Sequence, residues 1–422
     1  MSFSFDLNDG FAGFSAALPA DGCTQCGICL SVCPTFNISE DVEQSPMGRI
    51  RMMRALESGE ITGIALEKLD SCLACYSCEA ICPSQVNYGH LLDQALIRLR
   101  EQRQVPVMTR LMLALTLKPR LLKFMVQVTA VTQCFGIRWL LRSLGVFKLL
   151  GLARADNLLG KVHLPWASLE NNAHSHRAVA LFKGCFTSVL EQDVQQAAID
   201  ILNALGTEVE IPGGQTCCGA LHRHTGDNDQ AIAQAKNNIR VFKPLEIAAI
   251  ITTSSGCGNG LQNYSQWLGT EDQGFAQPVM DISHYLAQVL AQREVVFNSL
   301  SLKVAVHTPC TLTQAEGQVD AVTELLQRIP GLELHHLSGS PACCGAGGSQ
   351  MLSQPEIADA LRDHIIDEVL ALGPDILVSS NLGCAMHLQA GLEQAGHSIP
   401  VQHPVQLLSQ AMDVEFVSVR SR

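Results

Sequence analysis

The strongest constraint in this sequence is a cysteine motif that occurs twice. Cys23, Cys26, Cys29 and Cys33 are followed by Pro34, and Cys72, Cys75, Cys78 and Cys82 by Pro83, so C-x2-C-x2-C-x3-C-P returns with every cysteine displaced by 49 residues. Three thiolates at this spacing let one loop wrap a cubic cluster and reach three irons. The fourth, past a longer step and a proline turn, is directed elsewhere, and in two-cluster ferredoxins it ligates the other cluster. The spacing predicts two [4Fe–4S] clusters, with Cys23, Cys26, Cys29 and Cys82 on the first and Cys72, Cys75, Cys78 and Cys33 on the second. Zinc sites rarely use three cysteines this close with a proline-terminated fourth. Crossed ligation also keeps the clusters near one another, as electron tunnelling between them requires.

The remaining cysteines belong to the same chemistry. Seventeen in 422 residues is an odd number, crowded into repeated motifs rather than spread as pairs, which points to metal ligation in a reducing compartment. The N-terminal MSFSFDLNDGFAG has neither a basic nor an apolar leader region, so the cytoplasm is expected. The apolar stretch free of charge between Lys123 and Arg138 falls short of the ~20 residues that span a bilayer. Membrane attachment, at the inner face of the cytoplasmic membrane, is therefore expected to be peripheral or through partners. A formal charge of −12 excludes general affinity for nucleic acid, which needs a basic surface.

Four regions are expected: a helical two-cluster ferredoxin-like domain (1–95), a basic and mostly helical connector (96–176), and two α/β repeats (177–300 and 301–422). In the connector, ten Lys and Arg from Arg98 to Lys148 face one acid, Glu101. Such a segment suits a negatively charged partner or membrane surface, or packs as connecting helices with solvated charges. From 177 on, RAVALFKG, TEVEIPG, EIAAIITTS, KVAVHTPC and DILVSSN read as strands, and Ser188 to Leu205 as an amphipathic helix. The fold class is α+β with α/β repeats.

The second half is duplicated. Cys185 aligns with Cys310, Cys217 and Cys218 with Cys343 and Cys344, and Cys257 with Cys384, at offsets of 125 to 127 residues. Four thiols converge per repeat, and Gly219 and Gly345 let the backbone approach a bulky group. These eight cysteines are candidates for a further iron–sulfur or metal site, against a packed inert pair or a redox-active thiol pair.

QTCCGALHRHTGD and SPACCGAGGSQMLSQPEIADALRD resemble the cysteine-rich CCG domains of the heterodisulfide reductase B subunit, the anaerobic glycerol-3-phosphate dehydrogenase C subunit, the lactate-utilisation iron–sulfur proteins and the glycolate oxidase iron–sulfur subunit. The layout is most similar to the last family, through CGICLSVCPTF, SPMGRI at Ser45 to Ile50, CLACYSCEAICPSQVNYGHLLD, AKNNI at Ala235 to Ile239, SSGCG, HTPCTL and NLGCAMHL. Where heterodisulfide reductase relatives end each repeat in C-x2-C, this chain has Gly260 and His387, so a five-cysteine cluster is not expected. His387 is kept as a candidate nitrogen ligand.

No residues here supply a hydride acceptor. GAGGSQ at Gly345 to Gln350 has Gln350 where a dinucleotide loop needs its third glycine. The resemblance implies FAD-containing oxidase subunits that convert glycolate to glyoxylate, and a chain that passes their electrons to a quinone or respiratory acceptor. Its alternatives are the same role beside a lactate or glycerol-3-phosphate dehydrogenase, or a heterodisulfide-reductase-like enzyme.

Overall fold

The computed structural model describes residues 22–57, 63–102, 105–162, 169, 178–269, 274–275, 277–313, 319–337 and 343–412. The stretch read for a leader lies outside them.

The duplication is visible as two parallel sheets with the same strand order. In the first, β1 (Ala178–Phe182), β2 (Glu208–Glu210), β3 (Ile250–Thr252) and β4 (Val279–Asp281) lie in the order β2-β1-β3-β4. In the second, β5 (Leu302–Val306), β6 (Leu332–His336), β7 (Ile376–Val378) and β8 (Val401–Gln402) lie in the order β6-β5-β7-β8. The central β3 and β7 are buried along their whole length, which is why their apolar runs do not alternate. Leu181 pairs with Ile251, and Val304 with Ile376.

The five strands read from the sequence are present. The strands β4, β6 and β8 were not read, being short or, in β6, half exposed. The segment from Ser188 to Leu205 is two helices, Thr187–Leu190 and Gln192–Ala204, broken at Glu191 (φ −126°, ψ 39°). Burial lifts the Glu191 carboxyl to about 8.

The repeats pack as a pseudo-symmetric pair. Helix Gln192–Ala204 lies on Pro404–Ala411, and the equivalent helix Val319–Gln327 lies on Ile282–Ala291. A single core therefore runs through both repeats, joining Leu181, Ile199 and Leu286 of the first with Val306, Leu325 and Leu407 of the second. Burying each such side chain stabilises by about 1.5–3 kcal/mol, so neither repeat keeps its core without the other.

The N-terminal unit is helical, with Pro46–Glu57, Gly63–Asp70 and Tyr88–Arg98 packed around Met53, Leu69 and Leu92. The described part of the connector is helical, with Val107–Thr116, Pro119–Cys134, Ile137–Ser143 and Ala153–Leu159 as its main helices. Polar contacts tie these parts together. Arg223 donates to Asp93 at 2.9 Å, Arg154 to Asp359 at 2.8 and 3.0 Å, and His222 Nε2 lies 2.9 Å from Thr116 Oγ1.

The helix Pro404–Ala411 begins with a buried histidine cap. Val405 N donates to His403 Nδ1 at 3.1 Å, and His403 N donates to Gln406 Oε1 at 2.8 Å. Burial pushes the imidazole down to about 3, and a proton on Nδ1 would also remove the acceptor that caps the helix. The unfolded chain titrates near 6.5 and so takes up its proton first on acidification. Stability from this residue is complete above about pH 6.5 and falls as pH drops towards 3, by up to about 1.4 kcal/mol per unit. Denaturant unfolding between about pH 7 and pH 5.5 should show a shallower pH slope in His403→Asn, which can still cap the helix but cannot protonate; equal slopes would exclude this account.

Candidate metal centres

The first motif curls because its backbone takes left-handed turns between the cysteines. Gln25 (φ 57°) precedes Cys26 and Gly27 (φ 78°) follows it; in the second motif Ala74 (φ 49°) and Tyr76 (φ 52°) flank Cys75 in the same way. Non-glycine residues pay for this geometry with about 1 kcal/mol or more of strain, which persists where the surroundings fix it. The turns bring the thiols to the inside of each loop.

Cys23, Cys26 and Cys29 line one apolar cavity, and the fourth cysteine of the other motif, Cys82, lines it with them. Cys78 also reaches this cavity, whose remaining wall includes Met47, Ile50, Val86 and Tyr88. Burial raises the Cys29 thiol above its usual range. Burial is the main cause that raises Cys78, followed by the charges of Cys75, Cys72, Glu79 and Cys33. Cys33 lies 3.3 Å from Thr35 Oγ1, and the Tyr88 hydroxyl lies 3.5 Å from Cys72 Sγ. Cys82 thus stands with Cys23, Cys26 and Cys29 at one cavity, and Cys33 is among the groups that act on Cys78.

A buried cation stands beside the second set. The SPMGRI stretch builds it. Ser45 Oγ accepts from Gly48 N at 3.1 Å at the start of helix Pro46–Glu57. Gly48 lets the Val42–Gln44 turn press so close that a Cβ would lie 2.1 Å from Val42 O. Arg49, 1 % exposed, then points inward. Its Nε donates to Lys68 O at 2.8 Å, and Nη2 donates to Thr35 Oγ1 and Ser71 Oγ at 3.1 and 3.0 Å. Burial opposes the charge, but Cys72, Tyr88 and Cys33 outweigh it and raise the pKa. Among the described residues no carboxylate forms an ion pair with Arg49.

All eight CCG cysteines line a single cavity of about 400 Å³ between the two repeats. In the first repeat the Cys217 thiol is drawn well below its usual range by hydrogen bonds from Cys185 and Cys218, and Cys218 is raised by Cys217 and Cys257. In the second, Cys344 Sγ lies 2.7 Å from Cys384 Sγ, and Cys343 is raised by its hydrogen bond to Cys310. Each repeat contributes four soft donors to the cavity wall, a donor set that suits a soft metal or an iron–sulfur group.

The glycine after each cysteine pair has a steric reason. Gly219 (φ 84°) and Gly345 (φ 79°) are left-handed, and a Cβ would lie 3.1 Å from Ala231 O or 2.3 Å from Ala358 O. In the first repeat Asn238 Nδ2 donates to Cys217 O and Tyr264 Oη to Cys218 O, both at 2.9 Å, which holds the pair in place. A Cβ at Gly260 would lie 3.6 Å from Cys218 Sγ, so the position that lacks a cysteine here does border the thiols. His387 does not. Its Nε2 lies 3.1 Å from Ala358 O, burial lowers it to about 4, and it is not in the cavity wall; the candidate nitrogen ligand is corrected on that ground. The histidine that the fold does bring to the thiols is His307, which groups with Cys344 and Cys384 within 4.8 Å and whose Nδ1 lies 3.0 Å from Ser379 Oγ. Its proximity to Cys310 in HTPCTL was the only sequence signal for it. Cys134 is exposed and apart from both centres.

The two centres adjoin. Leu73, Ala74 and Tyr76 of the second motif line the CCG cavity, and the charge of Cys343 is the largest influence on Cys75 after burial. Gln350 Nε2 donates to Asp70 O and Cys72 O at 2.6 and 3.0 Å, fixing the second repeat against the motif.

Fold and donor sets together define an iron–sulfur protein with a two-motif ferredoxin-type unit joined to a CCG pair. Residues 22–87 match the model of a 4Fe-4S dicluster domain, and residues 179–262 and 304–389 each match the cysteine-rich CCG domain. The glycolate oxidase iron–sulfur subunit of Escherichia coli K12 is 30% identical over 94% of this chain and 97% of its own length. The lactate utilization protein A of Halalkalibacterium halodurans is 28% identical over 55% of this chain and 96% of its own. A crystal structure of a hypothetical protein from Helicobacter pylori shares the fold at a TM-score of 0.50, with 11% identity, 90% of this chain covered and 71% of that one. This chain belongs to the family of glycolate oxidase iron–sulfur subunits.

Proposed function

We propose that the chain is the electron-transfer subunit of a complex that oxidises glycolate to glyoxylate, working beside FAD-containing oxidase subunits and delivering to a quinone or respiratory acceptor. In this reading Cys23, Cys26, Cys29 and Cys82 hold one [4Fe–4S] cluster, Cys72, Cys75, Cys78 and Cys33 the second, and the complex sits at the inner face of the cytoplasmic membrane. Clusters bound there supply one-electron transfer. The observation that supports the reading is that Leu73, Ala74 and Tyr76, which flank Cys72 and Cys75, line the same cavity as all eight CCG cysteines, so that the second motif adjoins the CCG thiols. Around the motifs the protein excludes water by burying Cys33, Cys75 and Cys78, aims the Tyr88 hydroxyl at Cys72, and places the Arg49 charge beside Cys33 and Cys72. Each of these acts on a cluster potential.

The lactate-utilisation relative favours one competing substrate, and a panel decides. Acceptor-linked oxidation of glycolate, D-lactate, L-lactate and glycerol 3-phosphate is measured in extracts with and without this gene, and with Cys26→Ser and Cys75→Ser. Loss of glycolate oxidation alone, in the deletion and both variants, is the expected result. Unchanged glycolate oxidation would reject the assignment, and loss confined to lactate would transfer it.

A further inference from the structure

The connector helices are apolar on two sides. In Pro119–Cys134, Leu122, Val126 and Ala130 are buried against the body of the protein, while Leu121, Phe124, Met125, Val128 and Val131 are exposed. Both sets follow helical spacing, so the second is a stripe rather than a scatter. It continues past Gly136, where the next helix turns by 83°, through Phe135 and Trp139, 76 % and 72 % exposed. Fifteen of the twenty large hydrophobic side chains exposed among the described residues lie from Val107 to Leu150. A patch of this extent marks an interaction surface.

Its charge identifies the partner. Between Glu101 and Asp156 there is no acidic residue and there are nine basic ones, in a protein of net charge −12. Three of the nine are engaged internally, Arg138 and Arg142 with Asp156 and Arg154 with Asp359. Lys118, Arg120 and Lys148 are exposed and form no ion pair among the described residues. Exposed aromatics at a helix bend, flanked by unpaired Lys and Arg, match the boundary between acyl chains and anionic headgroups. No single described helix is long and apolar enough to cross a bilayer, and the pair Pro119–Cys134 and Ile137–Ser143, which together reach that length, is bent by 83° and keeps Leu122, Val126 and Ala130 packed on the protein, so the match is to a surface-lying arrangement.

We propose that this face lies on an anionic bilayer, with Pro119–Cys134 and Ile137–Ser143 in the interfacial plane, Phe124, Phe135 and Trp139 in the acyl boundary, and Lys118, Arg120 and Lys148 against acidic headgroups. The chain then reaches the membrane through its own helices and not only through partners. Leu111 and Met125 belong both to the exposed face and to the wall of the cysteine cavity, so the cavity opens on the side turned to the hydrocarbon. A lipophilic acceptor dissolved in the bilayer has a path to the thiols that avoids water. None of this depends on which hydroxy acid the complex oxidises.

The test uses the full chain loaded with its clusters, sedimented with phosphatidylcholine vesicles with and without phosphatidylglycerol. Binding is expected only with the anionic lipid, weakened by salt, and lowered at least about tenfold both in Phe124→Ser/Phe135→Ser/Trp139→Ser and in Lys118→Glu/Arg120→Glu/Lys148→Glu. All six side chains are exposed, and unchanged iron content and circular dichroism confirm the fold. Independently of the variants, bromine-labelled lipid should quench tryptophan emission in the natural chain more than in Trp139→Phe. A loaded chain that stays in the supernatant, an apolar variant that binds like the natural chain, or emission indifferent to the brominated lipid would each overturn the proposal.

Discussion

Cys82→Ser is expected to abolish the cluster signal that Cys26→Ser abolishes, although Cys82 belongs to the other motif. The cavity that holds Cys23, Cys26 and Cys29 is completed by Cys82, and thiol ligands are what hold such a cluster. By the same geometry Cys33→Ser should pair with Cys75→Ser, because the Cys78 thiol feels Cys75, Cys72 and Cys33 together. Each variant should lose about half of the iron bound by the N-terminal unit and leave one of only two residual electron paramagnetic resonance spectra. Oxidation of the complex's substrate should fall to background in all four. A sorting by motif, with Cys82→Ser resembling Cys75→Ser, would refute crossed ligation. Because cluster binding and folding are linked, the spectra are read on protein selected for unchanged helix content.

Arg49→Met should be the most damaging substitution outside the cysteines. It removes the buried charge that Cys72 and Cys33 act on and deletes the hydrogen bonds to Lys68 O, Thr35 Oγ1 and Ser71 Oγ, although Ser71 Oγ still donates to Lys68 O and Thr35 Oγ1 to Gln44 O. Breaking a buried charge arrangement by deleting one partner costs about 3–5 kcal/mol, and a lost hydrogen bond from a charged group costs about 1.5–3 kcal/mol. The contributions overlap, so about 3 kcal/mol or more is the expected loss in denaturant unfolding. The second-set cluster should also become harder to reduce, since a positive charge near it favours the added electron. Arg49→Lys keeps the charge without the planar fork and should recover much of the potential but less of the stability. A methionine variant with the natural midpoint potential would show that Arg49 is only a packing residue.

The sequence displayed its ligands more readily than their surroundings. The doubled motif and the 125–127 residue offset were legible because a fixed spacing of a rare residue is information in one dimension. The expectation of crossed ligation came from the same spacing. That both repeats empty their thiols into one shared cavity was not legible, since it depends on helix Gln192–Ala204 packing across the pseudo-two-fold axis on Pro404–Ala411. His387 was favoured by its place in the motif, yet the helix Leu382–Gln394 turns it towards Ala358 O, while His307, on the strand side, faces the thiols. Arg49 lies within SPMGRI, but only the close approach permitted by Gly48 shows why it points inward. The strands β4, β6 and β8 escaped because two to five residues at a sheet edge carry too little periodicity to stand out.

The shared cavity also says something about what duplication made possible. When two copies of one unit each furnish half of a chamber, the chamber begins with identical ends and can carry no preference for direction. A change in one copy breaks that equivalence at no cost to the common core. The offset that aligns Cys185 with Cys310 sets Phe182 of the first copy against His307 of the second, and His307 groups with the thiols at its end. One set of thiols therefore packs with a phenyl ring where the other has an imidazole at the matching position, which gives an otherwise mirrored vessel a polarity.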